Sequence, residues 1–444
     1  MARFTISGLR GKVGEEINPR IVAHYACAFG SFLPKGKVVV GRDTRKSSPS
    51  LLLSSISGLL FAGQDVIDLG VVPTPTLVLA SKELKTVGGM VVTASHNPED
   101  NNGLKFVSAR GSFLDEEEFS QFSQFLKDFQ PSPPHRFGSV TLQDNGIERH
   151  IRKITTSGLF AVSPRRSLKV GVDCCNGAGS VALLKLIREL GHQVEPIYCD
   201  ATGEFLRGPE PIPENLSKLC SLVREKSLDL GLALDPDGDR ISCVDEKGNP
   251  IGEEKTFALC VRFVLEKEKG PVVVNLSTSQ MIDDIAREAG VKIYRTKIGD
   301  AAVAQKLKEV EGVVGGEGNG GVILPKINST RDALVGAAII LQLLIEKGTP
   351  LSQLSKSLPE YFIKKVKLPL SKKGWEEKRG LIIKEFKDKE LDYTDGVRIK
   401  DKEWWLHIRP SNTEEVIRVI AEARDKEKLE ALIQRAREIL NPGG

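Results

Sequence analysis

The stretch Gly89-Met-Val-Val-Thr-Ala-Ser-His-Asn-Pro-Glu-Asp-Asn-Asn-Gly-Leu-Lys105 runs from a short apolar segment into small and polar residues. Met90 to Val92 predict a buried strand, and Pro98 prevents its ladder of hydrogen bonds from continuing. We therefore expect Ser95 on a rigid, exposed loop at the end of the strand, with Lys105 returning towards it. A hydroxyl in that position can serve as a nucleophile or a phosphate carrier, although a plain polar turn is an equal alternative.

A second apolar run ends in closely spaced carboxylates, within Asp229-Leu-Gly-Leu-Ala-Leu-Asp-Pro-Asp-Gly-Asp-Arg240. Asp235, Asp237 and Asp239 stand at alternate positions, and carboxylates so close together repel one another unless a cation lies between them. Hard oxygen ligands suit Mg²⁺, so the pattern favours a magnesium site over a solvated acidic turn. A calcium loop of the EF-hand type is disfavoured, because Arg240 occupies the position that requires glycine and a strand precedes the loop.

Length and composition are those of a globular protein with several domains. The chain has 444 residues, of which 40% are hydrophobic and 27% charged, and it is too long for one ordinary core. Its 63 basic and 59 acidic residues leave a net charge of +4. This balance does not predict binding to nucleic acid or to a membrane surface.

Three features of the sequence predict a cytoplasmic protein. Seven scattered cysteines form no Cys-x-x-Cys pair, and their odd number is typical of a reducing compartment. The first residues lack the apolar core of a signal peptide. The longest apolar segment, residues 333–345, is too short to span a bilayer.

Strands and helices alternate along most of the chain, which predicts parallel sheets with right-handed crossovers. Active groups in such sheets lie at the carboxyl ends of strands, where Ser95 is expected. The alternation restarts near residues 147 and 254, and from about residue 361 strand pairs with two helices predict an α+β domain. We place the four domains at residues 1–135, 136–245, 246–360 and 361–444.

Three segments carry expectations that depend on local pattern alone. Gly8 to Gly14 is expected to be a solvated, glycine-rich basic loop. Residues 331–346 are expected to form a long helix. Thr413 to Glu415 either starts a helix, because a Ser-x-x-Glu capping pattern is present, or leads into the β-branched strand 416–420, which we favour.

Taken together, the motifs resemble those of the α-D-phosphohexomutase family. Thr93 to Pro98 matches its active-serine motif, and Asp235 to Arg240 matches its metal loop. Gly316-Glu-Gly-Asn-Gly-Gly321 matches the beginning of its sugar loop, and Arg409 to Glu414 matches its phosphate loop. The resemblance covers the whole chain and implies an α/β protein. The implied fold consists of three similar three-layer α/β domains with mixed, mostly parallel sheets, followed by a C-terminal α+β domain.

The resemblance implies a phosphomutase, which is an isomerase. It would interconvert the 6-phosphate and the 1-phosphate of glucose or mannose through a phosphoserine and a bisphosphorylated sugar, with glucosamine phosphates as an alternative substrate. The expected cofactors are Mg²⁺ and glucose 1,6-bisphosphate, the latter as activator. The expected partners are small sugar phosphates, and the protein is expected to be a monomer or a homodimer. A sugar-phosphate-binding protein without turnover and a phosphatase that uses the aspartate loop remain alternatives.

The resemblance also implies roles for individual residues. Ser95 would carry the phosphoryl group and would ligate Mg²⁺ together with Asp235, Asp237 and Asp239. The residues expected to act in catalysis are Ser95, His96, Lys105, Arg10 and Arg240. The residues expected to bind the substrate are Lys297, Glu317, Asn319, Arg409, Ser411, Asn412, Thr413 and Arg418. Lys105 is expected to be the general base or acid for the sugar hydroxyl, with a pKa depressed by Arg10 and other cations.

Three observations limit what the resemblance carries over. Many members of the family end the sugar loop with histidine, but this chain has Gly321, so the proton shuttle on that side is unassigned. The phosphate loop has Glu415 where proline is usual. Ser95 and His96 are not expected to form a hydrolytic pair, because neighbouring side chains on an extended chain diverge and no Gly-x-Ser-x-Gly elbow is present.

Overall fold

Three of the four sheets in the computed structural model share one arrangement of strands. The structure describes residues 2–162, 164, 166–369, 372–411 and 416–440. Each shared arrangement contains three parallel strands and one antiparallel strand beside them. The loop that leads into the antiparallel strand carries one of the sequence motifs in every case.

The first sheet contains the strand that delivers Ser95. Its strands are β1 (Arg3–Thr5), β2 (Gly8–Lys12), β3 (Lys37–Arg42), β4 (Asp65–Val71), β5 (Gly88–Val92), β6 (Asn101–Ser108) and β7 (Val140–Leu142). The order across the sheet is β1-β2-β6-β5-β3-β4-β7, with β3, β4, β5 and β7 parallel and β6 antiparallel to β5. Helices accompany it: α1 (Pro19–Phe32), α2 (Ser48–Phe61), α3 (Thr74–Glu83) and α4 (Glu116–Lys127).

The start of α1 follows its sequence, whereas the segment before it does not. Oδ1 of Asn18 accepts a hydrogen bond from N of Ile21 at 3.1 Å, and Pro19 occupies the first helical position. The prediction of a loop at Gly8 to Gly14 is wrong, because residues 8–12 form β2. Backbone pairing with β1 and β6 on both sides fixes that segment as a strand in spite of its glycines.

The second sheet delivers the aspartate loop. The elements are α5 (Gly146–Thr155), β8 (Lys169–Asp173), α6 (Gly179–Glu189), β9 (Gln193–Ile197), α7 (Ser217–Glu225), β10 (Leu230–Leu234) and β11 (Ile241–Val244). The strand order is β11-β10-β8-β9, with β11 antiparallel to β10. The side chains of β10 are buried throughout, as its unbroken apolar sequence predicts.

The third sheet repeats this order and delivers the sugar loop. The elements are α8 (Glu253–Lys267), β12 (Val272–Asn275), α9 (Met281–Ala289), β13 (Ile293–Thr296), α10 (Asp300–Glu309), β14 (Val314–Glu317), β15 (Gly321–Ile323), α11 (Ala333–Lys347) and α12 (Leu351–Lys356). The helix predicted from residue 331 begins only at Ala333. Asp332 is its N-cap and accepts hydrogen bonds from the backbone N of Leu334 and Val335, so Arg331 precedes the helix.

The C-terminal part is an antiparallel sheet with two helices. Its elements are β16 (Phe362–Pro369), α13 (Lys372–Glu385), β17 (Glu390–Asp392), β18 (Val397–Lys400), β19 (Trp404–Pro410), β20 (Val416–Ala423) and α14 (Lys426–Leu440), and its strand order is β16-β20-β19-β18-β17. The segment from residue 416 is therefore the strand that the sequence favours. Asn412, Thr413, Glu414 and Glu415 lie outside the described residues.

Apolar packing connects the first three sheets, although the first sheet also has a separate cluster around Phe29, and the C-terminal part packs on its own. One apolar cluster contains Val39, Val170 and Val274, which belong to the first, second and third sheets. The described C-terminal residues from 362 onwards form a cluster of their own around Trp404. The predicted fold class is confirmed, while the four domain boundaries stay predictions. None of the helices in the described part of the chain is long and apolar enough to cross a membrane.

Candidate active site

Loops from the first three sheets meet at one place. The β5–β6 loop carries Ser95, the β10–β11 loop carries the three aspartates, and the β14–β15 loop follows Glu317. Oγ of Ser95 lies 3.3 Å from Oδ2 of Asp235, although 140 positions separate the two residues. Because each loop follows the carboxyl end of a parallel strand, equivalent edges of the three sheets face one cleft.

Ser95 is held in a strained backbone conformation where these loops meet. Its φ of 51° lies in the left-handed region, which a non-glycine residue rarely adopts. Its backbone N donates a hydrogen bond to Oγ1 of Thr93 at 2.9 Å. The residue is only 1% exposed, so the prediction of an exposed loop is wrong in this respect.

Arg45 fixes the serine loop from below. Its guanidinium is completely buried and forms an ion pair with Asp43, with Nε 3.0 Å from Oδ2. Nη2 donates to the carbonyl oxygens of Ser95 at 2.6 Å and Asn97 at 2.8 Å, and Nη1 donates to further carbonyls of the same loop. The planar guanidinium thus satisfies carbonyl groups that a loop would otherwise leave unpaired in the interior.

His96 contacts the serine hydroxyl directly. Its Nδ1 lies 3.3 Å from Oγ of Ser95, and its Nε2 lies 3.5 Å from Oε1 of Glu210. The expectation that the two neighbouring side chains diverge is wrong, because the positive φ at Ser95 turns the chain away from an extended path. Burial and the charges of Arg240 and Arg10 hold the pKa of His96 well below its usual range, so the imidazole is neutral.

The three aspartates form a buried cluster with free oxygen atoms. Asp235, Asp237 and Asp239 are each 0% exposed, and one oxygen from each lies within 4.8 Å of the others. Oδ1 of Asp237 and Oδ1 of Asp239 have no hydrogen-bond partner among the described residues. Burial and the neighbouring carboxylates raise the pKa of Asp235 well above its usual range. Unpaired anionic oxygens of this kind, beside Oγ of Ser95, fit a small divalent cation.

Lys105 supplies a counter-charge to the same cluster. Its Nζ lies 2.6 Å from Oδ2 of Asp237 and 3.1 Å from Oδ2 of Asp239. Burial alone would lower the pKa of Lys105, but the carboxylates of Asp237 and Asp239 outweigh it and the pKa is raised. The predicted depression of this pKa is therefore wrong, because the sequence did not reveal how closely the two carboxylates approach.

Two arginines lie close to the serine loop. Nη1 of Arg10 donates to Oδ1 of Asn97 at 3.1 Å, and burial lowers the pKa of Arg10 to about 10. Nη1 of Arg240 donates to Oε1 of Glu210 at 3.0 Å. Glu210 therefore joins Arg240 to His96. The two predicted residues Arg240 and His96 thus lie at the cluster that contains Ser95.

The sugar loop is organised around Glu317. Its Oε1 accepts hydrogen bonds from Nδ2 of Asn275 at 2.8 Å and from N of Gly299 at 3.0 Å. Its Oε2 accepts from Nδ2 of Asn319 at 3.2 Å and from Nη1 of Arg331 at 2.5 Å. Both predicted residues of this loop, Glu317 and Asn319, therefore lie together.

The remaining predicted residues contact other parts of the structure. Nζ of Lys297 forms an ion pair with Glu116 of the first domain, and both side chains are partly exposed. Nε of Arg409 donates to Oδ1 of Asp395 at 3.1 Å, and Arg409 stands directly opposite Arg418 on the neighbouring strand. The backbone N of Ser411 donates to the carbonyl of Val416 at 2.8 Å. Asn412 and Thr413 lie outside the described residues.

Sequence reasoning missed three residues of the site, namely Arg331, Arg45 and Glu210. Arg45 stands a few residues after the end of β3, where polar groups of parallel sheets collect, so its position was a usable signal. Arg331 immediately precedes a strong N-cap, which marked it as lying outside the helix. Glu210 lies in a long loop without any pattern that would single it out.

A buried hydroxyl beside clustered carboxylates and several cations defines a site for phosphoryl transfer, in which positioning and charge neutralisation do most of the catalysis. Family models agree with this class. Those described as Phosphoglucomutase/phosphomannomutase, alpha/beta/alpha domains I, II and III, match residues 1–128, 148–248 and 253–362. The model of the C-terminal domain of the same family matches residues 364–439.

Curated relatives match along almost the whole chain. A protein named probable phosphoglucosamine mutase, from Pyrococcus abyssi, is 36% identical over 98% of this chain and 97% of its own. A protein named phosphoglucomutase/phosphomannomutase, from Thermococcus kodakarensis, is 38% identical over 96% of this chain and 95% of its own. A crystal structure of a phosphoglucomutase/phosphomannomutase family protein from Burkholderia thailandensis is 27% identical with a TM-score of 0.87, covering 99% of this chain and 98% of that one.

The chain belongs to the phosphoglucomutase/phosphomannomutase family. It is therefore a phosphohexomutase, and the isomerase activity predicted from the motifs is confirmed at that level. The family depends on Mg²⁺, and the buried carboxylates of Asp235, Asp237 and Asp239 provide the oxygen ligands that this ion prefers.

Proposed function

We propose that the protein interconverts the 6-phosphate and the 1-phosphate of a hexose through a phosphorylated Ser95 and a bisphosphorylated sugar. The observation that carries this proposal is the position of Oγ of Ser95, which is buried 3.3 Å from Asp235 and 3.3 Å from His96. A hydroxyl in this setting is shielded from bulk water, so a phosphoryl group on it is protected from hydrolysis.

A phosphoserine solves the geometric problem of the reaction. The two hydroxyls that exchange phosphate lie at opposite ends of the sugar, so direct transfer between them is unfavourable. Phosphorylated Ser95 can donate its phosphoryl group to the free hydroxyl, which gives a bisphosphate. The sugar then turns around and returns its other phosphoryl group to Oγ of Ser95, and each transfer follows an in-line path.

Ser95, Asp235, Asp237 and Asp239 would hold Mg²⁺, which would offset the charge on the phosphoryl oxygens when bound. Arg240 and Arg10 flank the serine loop and would orient the phosphoryl group through their guanidinium donors. Neutral His96 is placed to hydrogen-bond with Oγ of Ser95.

Lys105 would act as the proton donor on the serine side. Its ammonium form is stabilised by Asp237 and Asp239, so a proton is available when the bond between phosphorus and Oγ breaks. The reverse transfer returns that proton. Transition states of phosphoryl transfer are loose, so the sugar hydroxyl keeps its proton until the new bond forms. The neutral amine of Lys105 would then take that proton, which restores the ammonium form.

Substrate binding would involve two groups of residues. Glu317 and Asn319 would hydrogen-bond with the sugar hydroxyls, since buried polar bonds of this kind give strong discrimination between sugars. Lys297, whose side chain is partly exposed, would join them. The phosphate that is not being transferred would be bound by residues of the C-terminal domain, which are Arg409, Ser411, Asn412, Thr413 and Arg418. An arginine suits this task because its planar guanidinium matches a phosphate group.

The identity of the sugar is the finer part of the proposal. Glucose and mannose phosphates are the primary candidates and glucosamine phosphate is the alternative. The names of the curated relatives support the alternative more often, since most of them are named probable phosphoglucosamine mutase, at 35–37% identity. One at 38% identity is named phosphoglucomutase/phosphomannomutase and supports the primary candidates.

Intact-mass and peptide-mass analysis of purified protein tests the proposal. The protein is incubated with Mg²⁺, glucose 1,6-bisphosphate and, separately, the 6-phosphates of glucose, mannose and glucosamine. We expect phosphate on the peptide containing Ser95, exchange of that phosphate with the preferred sugar, and product 1-phosphate. A Ser95 that no bisphosphate can label would overturn the phosphoserine route and favour a binding protein without turnover.

Two variants control this experiment. Ser95→Ala should lose the phosphate label and turnover together. Ser54→Ala, on a neighbouring helix of the same domain, removes only a hydrogen bond to a backbone carbonyl of its own helix and should keep both. Phosphate release without formation of a sugar 1-phosphate would instead favour a phosphatase.

A further inference from the structure

Arg331 occupies the centre of the site, although it lies outside all four sequence motifs. Nη1 lies 2.5 Å from Oε2 of Glu317, and Nη2 lies 2.8 Å from Oδ2 of Asp239. Nε lies 3.4 Å from Oδ2 of Asp300, and only 10% of the side chain is exposed. One guanidinium therefore joins the sugar loop to the metal loop.

The stem of Arg331 fills the space next to Gly321. A Cβ atom added at Gly321 would lie 2.2 Å from Cδ and 2.8 Å from Cγ of Arg331. The backbone of Gly321 belongs to β15 and has no positive φ, so space and not backbone conformation requires the glycine. The stem cannot move aside cheaply, because three carboxylates hold its guanidinium.

We propose that Arg331 is the positioning residue of the sugar loop. Its stem occupies the space that a side chain at position 321 would need, and its charge disfavours binding of a cationic sugar. The proposal rests on the proposed function, because it concerns how the same site receives its hexose phosphate. It accounts for the glycine at position 321, where a Cβ atom would collide with the stem of Arg331.

Two physical effects connect Arg331 to the substrate. The first is geometry, since the guanidinium fixes the carboxylate of Glu317 at a set separation from Asp239 and so fixes the sugar relative to the transferring phosphoryl group. The second is charge, since Arg331 neutralises the carboxylate that would otherwise attract an ammonium group. Arginine is not deprotonated in proteins, so the guanidinium stays charged.

Steady-state kinetics of Arg331→Lys and Arg331→Met, at pH 7 with glucose 6-phosphate and glucosamine 6-phosphate, separate these effects. Arg331→Lys keeps the charge but loses the two separate donor groups of the guanidinium. We therefore expect kcat/KM to fall about 100-fold for both sugars, with the ratio of glucosamine to glucose kcat/KM unchanged. Arg331→Met loses both, and we expect the ratio of glucosamine to glucose kcat/KM to rise about tenfold. A purely structural residue would lower both sugars equally in both variants, and that outcome would overturn the charge effect.

Thermal unfolding tests the use of space independently of turnover. Gly321→Ala should lower Tm by several degrees in the wild-type background. It should lower Tm by much less in an Arg331→Ala background, where the colliding stem is absent. Gly380→Ala is a matched control, because a Cβ at that position meets no other atom within 4 Å. Equal losses from Gly321→Ala in the two backgrounds would overturn the steric link between positions 321 and 331.

The two proposals fail in different ways. A wild-type protein that is inactive on every hexose phosphate would overturn the proposed function. The Tm measurements of Gly321→Ala in the two backgrounds would still decide whether positions 321 and 331 are sterically linked. An active wild type whose Arg331→Lys variant keeps full kcat/KM would overturn the positioning role and leave the proposed function intact.

Discussion

Nζ of Lys105 lies 2.6 Å from Oδ2 of Asp237, and this contact joins the strand after the serine loop to the metal loop of the next domain. Both side chains are almost completely buried. A second bond from the same Nζ reaches Oδ2 of Asp239 at 3.1 Å. The interface between the first two domains and the catalytic cluster are therefore held by the same ion pairs.

Removal of this lysine should damage both stability and turnover. Lys105→Met leaves Asp237 and Asp239 buried without their shared cation, which costs about 3–5 kcal/mol for buried ion pairs. Loss of the proton donor should lower kcat by about 100-fold or more. Urea unfolding and a coupled mutase assay measure the two effects. Lys46→Met, which breaks an exposed pair with Glu204, should leave both nearly unchanged.

Metal removal should destabilise the protein. Because Asp235, Asp237 and Asp239 repel one another without a cation, Mg²⁺ should raise Tm, and a chelator should abolish the increase together with turnover. At a concentration 100 times its Kd, a ligand of the folded state adds about 2.7 kcal/mol. Differential scanning fluorimetry measures the shift. Asp239→Asn should reduce it strongly, whereas Asp229→Asn, at an exposed pair with Arg166, should retain it. An unchanged shift in Asp239→Asn would contradict the assignment of the ligand.

The hydrogen bonds that the buried Arg45 guanidinium donates to the serine loop should contribute more to stability than its positive charge. Arg45→Lys keeps the ion pair with Asp43 within reach but leaves several loop carbonyls unpaired in the interior, which we expect to cost about 2–4 kcal/mol. Ser95 should then lose its fixed position, so kcat should fall more than KM changes. Urea unfolding and steady-state kinetics measure these losses. Arg42→Lys, at a half-buried arginine that ends β3, is the control, and equal effects of the two substitutions would contradict the positioning role of Arg45.

Acid should destabilise the contact between the third and fourth domains through His407. Its Nδ1 lies 2.8 Å from Oγ of Ser277 and its Nε2 bonds to the carbonyl of Asp395, and burial lowers the pKa of His407 to about 4. The unfolded chain binds a proton from about pH 6.5 downwards. Between about pH 6.5 and 4 the unfolded state therefore holds more protons than the folded state. Stability contributed by neutral His407 is present above this window and is lost as the pH falls through it, by about 1.4 kcal/mol for each pH unit.

Urea unfolding of wild type and His407→Gln between pH 4 and 7 checks this dependence. Carboxylates also titrate in this range, so the difference between the two slopes is the relevant quantity. His135→Gln, at an exposed histidine, should keep the wild-type slope. Equal slopes in wild type and His407→Gln would contradict the prediction.

Much of the fold was predictable because the buried strands are unbroken apolar runs. Met90 to Val92 and Leu230 to Leu234 lie on strands that are buried along their whole length, as their sequences predict. The prediction failed where pairing overrides local preference. Gly8 to Lys12 has the composition of a loop but is a strand, because neighbouring strands on both sides satisfy its backbone groups.

The sequence by itself determined which chemical groups the site contains. A serine, three alternating aspartates and the glycine-rich sugar loop each follow an apolar strand, and local pattern is sufficient to place such groups at the end of a strand. Tertiary structure alone decided how these groups act on one another. It brought Arg331 between Asp239 and Glu317 and raised the pKa of Lys105 where the sequence predicted a decrease. The physical reason is that electrostatic interactions and steric exclusion depend on distances of a few ångströms, and the packing of separate domains sets those distances.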